Sequence, residues 1–235
     1  MEIAKGIYSM SQEEGGHVHA YLLDDGASLT LIDTLYDDDA NVVLSEIKRI
    51  GRTPAQLKTI ILTHAHKSHV GGVAALRKAS GATVCSHSWE VDVIAGRRAA
   101  TRVSPIPQKP LQVYKLQLGL ALGLGKHVPC EVDRTLKAGD HVGPLQVIET
   151  PGHTPGSLSF WWADRRALFA GDVIATWPEF APGWPGLTLD NDQNLRSAYQ
   201  FTDFSNADVL GVGHGEPIVH DAAREIRSLL KVAAV

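Results

Sequence analysis

The chain has 235 residues, of which 44% are hydrophobic and 20% are charged, and its net charge is -4 at pH 7. These values are typical of one large globular domain, or of two fused halves, and they give no electrostatic footprint for binding nucleic acid or an anionic membrane. No apolar run is long enough to span a bilayer, the first ten residues lack the apolar stretch of a signal peptide, and two cysteines are too few for a disulfide framework, so we expect a cytoplasmic protein.

Short apolar runs alternate with helical periodicity through the first half of the chain. Runs rich in Val, Ile and Leu predict strands, and apolar residues three or four apart predict helices. In chain order the predicted elements are strand 29–32, a helix that carries Val43, Ile47 and Ile50 and ends at Gly51, strand 58–62, helix 71–79, strand 82–86 and helix 89–98.

The second half repeats this alternation. Its predicted elements are strands 145–148, 157–162 and 167–170, helix 194–201, strand 208–212 and helix 222–232. A polar run at residues 163–166 predicts a hairpin between the second and third of these strands. Strands with helices interspersed in both halves predict the α/β class, with layered packing and helices on the outer faces.

Residues 99–129 do not fit this pattern. The segment holds Pro105, Pro107 and Pro110, followed by the apolar run 116–124. An irregular insertion of this kind is typical of a lid or a substrate loop. A buried connecting helix is an equally good interpretation of the same residues.

Four of the predicted strands run directly into side chains that bind metals. In layered α/β folds ligands collect beyond the carboxyl ends of strands, so these four strand ends are expected to meet. The residues at the four ends are His64, His66 and His69 after the first, His153 after the second, Asp172 after the third and His214 after the fourth.

The cluster around His64 carries the strongest signal. His64 and His66 are two residues apart, so an extended backbone points both imidazoles to one side, and His69 lies one loop further. Imidazole nitrogens suit zinc, and also iron, nickel or copper. His153 would supply a third neutral ligand and leave one position open, as in catalytic zinc sites, while His69, His214 and Asp172 could hold a second ion with Asp172 as the bridge. The alternative is a surface histidine cluster or a set of helix-capping groups.

These motifs resemble those of the metallo-β-lactamase superfamily. The motifs that carry the resemblance are His64-Ala65-His66-Lys67-Ser68-His69, Thr150-Pro151-Gly152-His153-Thr154-Pro155-Gly156, Gly171-Asp172 and Gly213-His214-Gly215, and Asp33 corresponds to the structural aspartate after an early strand. The resemblance covers nearly the whole chain and is strongest to the glyoxalase II-like and lactonase-like branches. It implies a four-layer αβ/βα sandwich, a single domain over residues 1–235, one or two metal ions, and hydrolysis.

Ser68 departs from the family pattern His-x-His-x-Asp-His. In relatives the aspartate is a ligand of the second metal and helps to hold the nucleophile, whereas a neutral serine hydroxyl is a poor zinc ligand. We therefore expect the first site, formed by His64, His66 and His153, to survive. The second site is expected to be weaker or differently coordinated.

Three aromatic residues follow Asp172 within a proline-rich loop. Trp177, Phe180 and Trp184 are candidates for the wall of an apolar substrate pocket. The alternative is that they cover the edge of a sheet.

The function expected from these residues is hydrolysis of a small ester, thioester or lactone by a metal-bound hydroxide, with Asp172 and Ser68 beside the reacting groups. Zinc is the expected metal, as one or two ions, and iron or manganese are alternatives. Two rival functions stay open: a degenerate or disabled metal-binding protein, because of Ser68, and a mononuclear-iron sulfur dioxygenase. The expected partner is a small-molecule substrate, without nucleic acid or membrane, and a homodimer is compatible with the sequence.

Overall fold

The computed structural model describes residues 1–233, which form two compact units. Unit 1 comprises Met1–Ala100 and Gly125–Leu136, and unit 2 comprises Thr101–Leu124 and the residues from Lys137 onward. The predicted insertion at 99–129 is therefore divided between the two units. Its role as a lid, and the assignment of the whole chain to one domain, stay predictions.

Unit 1 is built on a seven-stranded sheet whose strands follow one another in chain order. The strands are β1 Glu2–Ala4, β2 Ile7–Gln12, β3 Val18–Asp24, β4 Leu29–Ile32, β5 Leu57–Ile61, β6 Thr83–His87 and β7 Arg134–Leu136. Pairing is antiparallel from β1 to β4 and parallel from β4 to β7. The helices are α1 Glu14–His17, α2 Asn41–Arg49, α3 Lys67–Val70, α4 Val73–Ser80 and α5 Val91–Ile94, with a 3-10 turn at Pro54–Gln56.

Apolar periodicity explains how helix α2 covers this sheet. Val43 and Ile47 are fully buried in the same cluster as Leu31 and Ile60 of the central strands. The helix ends where Gly51 adopts a φ of 75°, a left-handed conformation that glycine adopts without steric cost.

Unit 2 contains a five-stranded sheet in the order β12-β11-β10-β9-β8. The strands are β8 His141–Val142, β9 Leu145–Glu149, β10 Leu158–Trp162, β11 Ala167–Gly171 and β12 Val209–Val212, and the helices are α6 Tyr114–Ala121, α7 Asn191–Tyr199 and α8 Ala222–Ala233. Three 3-10 turns lie at Leu111–Val113, Ala163–Arg165 and Gln200–Asp203. Every residue of β10 and β11 is buried, so these two strands form the core of the unit.

The strands and helices predicted from periodicity are present within a few residues, and the predicted hairpin joins β10 to β11 in antiparallel pairing. Helix 89–98 is the exception, because only Val91–Ile94 is helical. Gly96, with a φ of 72°, ends it, and Arg98 instead lies over the Trp89 ring at 3.9 Å. No helix among residues 1–233 is long and apolar enough to cross a membrane.

Candidate metal centre

Three histidines of unit 1 lie together just beyond the end of strand β5. His64 Nε2 is 3.0 Å from His66 Nδ1, and the His64 and His69 ring centroids are 4.2 Å apart. His64 and His69 are buried and His66 is half-buried. The predicted cluster is therefore assembled by one strand end and the short helix α3.

Asp33 orients His69 and the backbone at Thr63, next to His64, through hydrogen bonds to its carboxylate. Its carboxylate accepts hydrogen bonds from the Thr63 backbone N–H and hydroxyl, each at 2.8 Å, and from His69 Nδ1, also at 2.8 Å. The residue is 2% exposed, so these bonds are shielded from water. A hydrogen bond at Nδ1 sets the imidazole tautomer, and the lone pair of His69 is then on Nε2.

The end of helix α3 approaches the segment that follows strand β4 closely, and this approach requires a glycine. A Cβ at Gly71 would overlap the carbonyl oxygen of Tyr36. The Thr34 backbone N–H also donates to the His69 carbonyl at 2.7 Å. The backbone that carries His69 is thus held directly against the end of β4.

In unit 2 two histidines converge on one carboxylate oxygen. Asp172 Oδ2 is 3.3 Å from His153 Nε2 and 3.2 Å from His214 Nε2. All three side chains are at most 7% exposed. Each follows a strand of the unit 2 sheet, β9, β11 or β12, as the sequence predicted.

The loop that carries His153 is held by the start of helix α7. Gly152 has a φ of 136°, and a Cβ there would overlap the Asn194 backbone. The Asp190 carboxylate caps the helix by accepting from Gln193 N, while the Asp190 N–H donates to the Gly152 carbonyl at 2.9 Å. Thr188 Oγ1 lies 3.4 Å from His153 Nδ1, which leaves Nε2 directed at Asp172.

The donor atoms in each unit fit a divalent metal. Two ligands bound at about 2.0–2.1 Å in tetrahedral geometry are separated by about 3.3 Å. The observed separations of 3.0 Å in unit 1 and 3.2 and 3.3 Å in unit 2 are close to that value. Imidazole nitrogens with a single carboxylate are the donors that zinc and iron prefer.

Ser68 occupies the second position of helix α3 and is half-buried. A Cβ built on Gly15 would lie 3.2 Å from the Ser68 Cβ and 2.9 Å from the Tyr36 ring. The short helix α1, which contains Gly15, therefore covers this serine, and a side chain at Gly15 would crowd it.

The predicted pocket aromatics separate into two groups. The Trp184 ring lies 4.3 Å from the His214 ring, and its Nε1–H donates to the Trp177 carbonyl at 2.9 Å. Trp177 and Trp184 belong to one apolar cluster with Val113 and Leu187, whereas Phe180 packs against a different cluster in the same unit. Of the three, the tryptophans are the ones that the structure brings near a candidate ligand.

Sequence reasoning missed Thr188 and Glu90. Glu90 is 1% exposed and accepts a hydrogen bond from the Ala65 N–H at 3.1 Å, which fixes the backbone between His64 and His66. No motif identifies either residue, because both reach the histidines from distant parts of the chain.

The two cysteines are not alternative nucleophiles, since burial raises the pKa of the Cys85 thiol to about 11 and also raises that of Cys130.

Comparison with known proteins shows the family to which the chain is related. Residues 14–214 match the family described as the metallo-beta-lactamase superfamily. The chain is 28% identical to the probable metallo-hydrolase YflN of Bacillus subtilis (strain 168) over 74% of this chain and 66% of that protein. It is 32% identical to the hydroxyacylglutathione hydrolase of Albidiferax ferrireducens over 58% of this chain, a match that spans only 40% of that enzyme.

Among solved structures, a metallo-beta-lactamase family protein from Thermus thermophilus is similar throughout. The TM-score is 0.70 at 23% identity, and the match covers 99% of this chain and 81% of that one. Together with the two sheets described above, this similarity confirms the predicted α/β fold class.

Proposed function

Because this chain belongs to the metallo-beta-lactamase superfamily, we propose that it is a metal-dependent hydrolase of small esters, thioesters or lactones. The observation that carries the proposal is the convergence of His153 and His214 on one oxygen of Asp172, at 3.3 and 3.2 Å. A carboxylate held between two imidazoles is suited to bridging two ions.

The ligand assignment follows the family pattern, residue by residue. His64, His66 and His153 would hold the first ion, and His69, His214 and Asp172 would hold the second. When bound, such ions polarise a carbonyl group and lower the pKa of water towards ~7. Asp33 keeps the ligand tautomer of His69 by accepting from its Nδ1, and the Thr188 hydroxyl, 3.4 Å from His153 Nδ1, can accept from that nitrogen in the same way.

The remaining roles belong to side chains around these ligands. The Asp172 carboxylate can orient the attacking water, accept its proton and return it to the leaving oxygen or sulfur. The Ser68 hydroxyl can hydrogen-bond to the same water, although it cannot supply the charge of an aspartate. Trp184 covers one side of His214 and excludes bulk water there.

The substrate class is supported by two observations. One relative is a hydroxyacylglutathione hydrolase, which acts on a thioester, although the shared region is only 40% of its length. The apolar cluster of Trp177, Trp184 and Leu187 favours a substrate with an apolar portion. Hydrolysis would add water across the acyl bond. An ester would give an acid and an alcohol, a thioester an acid and a thiol, and a lactone a single hydroxy acid.

Zinc is the proposed metal, with iron and manganese as alternatives. Ser68 makes the occupancy of the second position the central question. A single iron per chain with oxygen uptake on a persulfide would instead indicate a sulfur dioxygenase. A metal-loaded protein without turnover would indicate a disabled member of the family.

The first experiment is elemental analysis of protein purified without chelators or added metal, followed by hydrolysis assays on a lactone, a thioester and an aryl ester. We expect one to two zinc ions per chain and turnover that chelation removes and zinc restores. Asp172→Asn should lose turnover, whereas His220→Gln, an exposed histidine outside the proposed ligands, should behave as the parent. Turnover that persists in Asp172→Asn, or after complete metal removal, would contradict the proposal.

A further inference from the structure

The segment 101–124 of unit 2 exposes an unusual amount of apolar surface. Nine large hydrophobic side chains among residues 1–233 are at least 36% exposed, and four of them lie in these 24 residues. They are Ile106 at 70%, Leu111 at 63%, Leu122 at 57% and Leu124 at 70% exposed. Exposed aliphatic side chains grouped in this way indicate a surface for binding.

The same segment carries only positive charge. Arg102, Lys109 and Lys115 are exposed, and the segment contains no aspartate or glutamate. None of the three cations forms a salt bridge with another residue in the part of the chain that the structure describes. The net charge of -4 for the whole chain therefore conceals a locally basic, apolar surface.

This surface is held in a fixed conformation by a buried glutamine. The Gln117 side chain is fully buried and donates to the Ser104 and Ile106 carbonyls at 2.7 and 2.6 Å. Its amide oxygen also accepts from the Gln108 N–H at 3.3 Å. The loop before α6 is thus tied along the helix, which keeps its exposed residues in place.

The inner side of α6 is anchored as well. Val113, Leu116 and Leu120 pack with Trp177 and Trp184. These residues of the segment are therefore committed to unit 2, while its three cations and Leu111, Leu122 and Leu124 remain exposed.

We propose that the 101–124 segment docks on an anionic lipid surface. Aliphatic side chains can enter the acyl boundary while lysine and arginine reach the anionic headgroups along their flexible stems. This inference goes beyond the hydrolase assignment and does not depend on it.

The composition of the surface argues against two other occupants. A second copy would bring the same cations face to face, and like charges disfavour such a contact. Protein partners select surfaces rich in aromatic residues and arginine and depleted in lysine. Here every strongly exposed apolar side chain is aliphatic, and two of the three cations are lysines.

The test is co-sedimentation of the full chain with vesicles of phosphatidylcholine alone or mixed with phosphatidylglycerol, at low and high potassium chloride. We expect binding only to the anionic vesicles, weakening as salt rises. Each cation contributes about fivefold to partitioning, so Lys109→Gln with Lys115→Gln should lower binding about 25-fold. The charge-matched control is Arg224→Gln with Lys231→Gln on α8, which also lie on the surface of unit 2 and should leave most of the binding intact.

A second pair of variants tests the apolar contribution. Leu122→Ser with Leu124→Ser should reduce vesicle binding by about tenfold or more. Val232 is 78% exposed on helix α8, and Val232→Ser should not reduce binding. Absence of binding to phosphatidylglycerol vesicles at low salt would overturn the proposal. Equal binding to both vesicle types, equal loss in the control variants, or self-association in place of vesicle binding would also overturn it. Hydrolysis of soluble substrates is measured separately, so a failure here leaves the proposed function intact.

Discussion

Replacing Asp33 by asparagine should disturb metal binding far more than folding. The Asp33 carboxylate accepts three hydrogen bonds, from the Thr63 N–H, the Thr63 hydroxyl and His69 Nδ1. Asparagine can keep the first with its carbonyl oxygen, and it tolerates the positive φ of 58° at this position. Its amide N–H₂ then faces His69, so the imidazole must accept there and move its proton to Nε2, the nitrogen that would bind the metal.

The magnitude follows from these bonds. A hydrogen bond to a charged group contributes about 1.5–3 kcal/mol, against about 1 kcal/mol for a neutral one. Because Asp33→Asn exchanges charged for neutral bonds without leaving a cavity, the free energy of unfolding of the metal-free protein should fall by about 1–3 kcal/mol. Loss of the correct tautomer should weaken binding at the second metal position by about 10–100-fold.

Asp33→Ala separates these two effects. Alanine leaves the buried Thr63 N–H without this acceptor and adopts a positive φ less readily, so it should destabilise the protein more than asparagine. It does not impose the wrong tautomer on His69, and its metal affinity should exceed that of Asp33→Asn. Urea unfolding gives the stabilities and competition with a chromogenic chelator gives the affinities. Identical rank orders in the two measurements would refute the tautomer argument.

Four other side chains give predictions of their own. Ser68→Asp should raise the affinity of the second position for the metal at least about tenfold, which elemental analysis detects as a higher metal content. The uncharged Ser68→Asn should not, and equal gains in the two variants would refute a charge effect. Gln117→Met should lower the free energy of unfolding by about 2–4 kcal/mol, with faster amide exchange at residues 104–108, and unchanged exchange there would contradict its anchoring role. Titration with Co²⁺ should quench tryptophan fluorescence, because Trp184 lies 4.3 Å from the His214 ring, and Trp184→Phe should lose most of the quenching. Burial raises the pKa of Cys85 from 9.0 to about 11, so the unfolded chain ionises first and stability should fall between these pH values in urea titrations. The fall should be smaller in Cys85→Ala, where the raised pKa of Cys130 still contributes, and an equal fall in both proteins would contradict the assignment to Cys85.

The candidate ligands could be located from the sequence because each follows a strand that local periodicity marks. Residues 58–62 and 167–170 are apolar runs bounded by His64 and by Asp172, and strands β5 and β11 end within a few residues of those positions. Helix 89–98 was wrong in length because a positive φ at Gly96 and the packing of Arg98 on Trp89 outweigh its helical periodicity. Strands β1, β2, β7 and β8 were missed. Of these, β1, β7 and β8 have only two or three residues and lie at the edges of their sheets, so they carry too little apolar periodicity to mark them.

The fold class and the order of the strands that precede the candidate ligands could be inferred from the sequence alone, because both depend on patterns of residues close together in the chain. The identity of the ligands stays a prediction from the same residues. The resemblance already marks Asp33 as a structural aspartate, but the contacts by which Asp33 and Thr188 orient the histidines became visible only in the folded chain. Asp33 reaches Thr63 and His69 across 30 and 36 residues, and Thr188 reaches His153 across 35. Folding also places Trp184, rather than Phe180, beside His214. Hydrogen bonds and ring contacts of this kind form between elements that folding brings together, so no local periodicity or spacing records them.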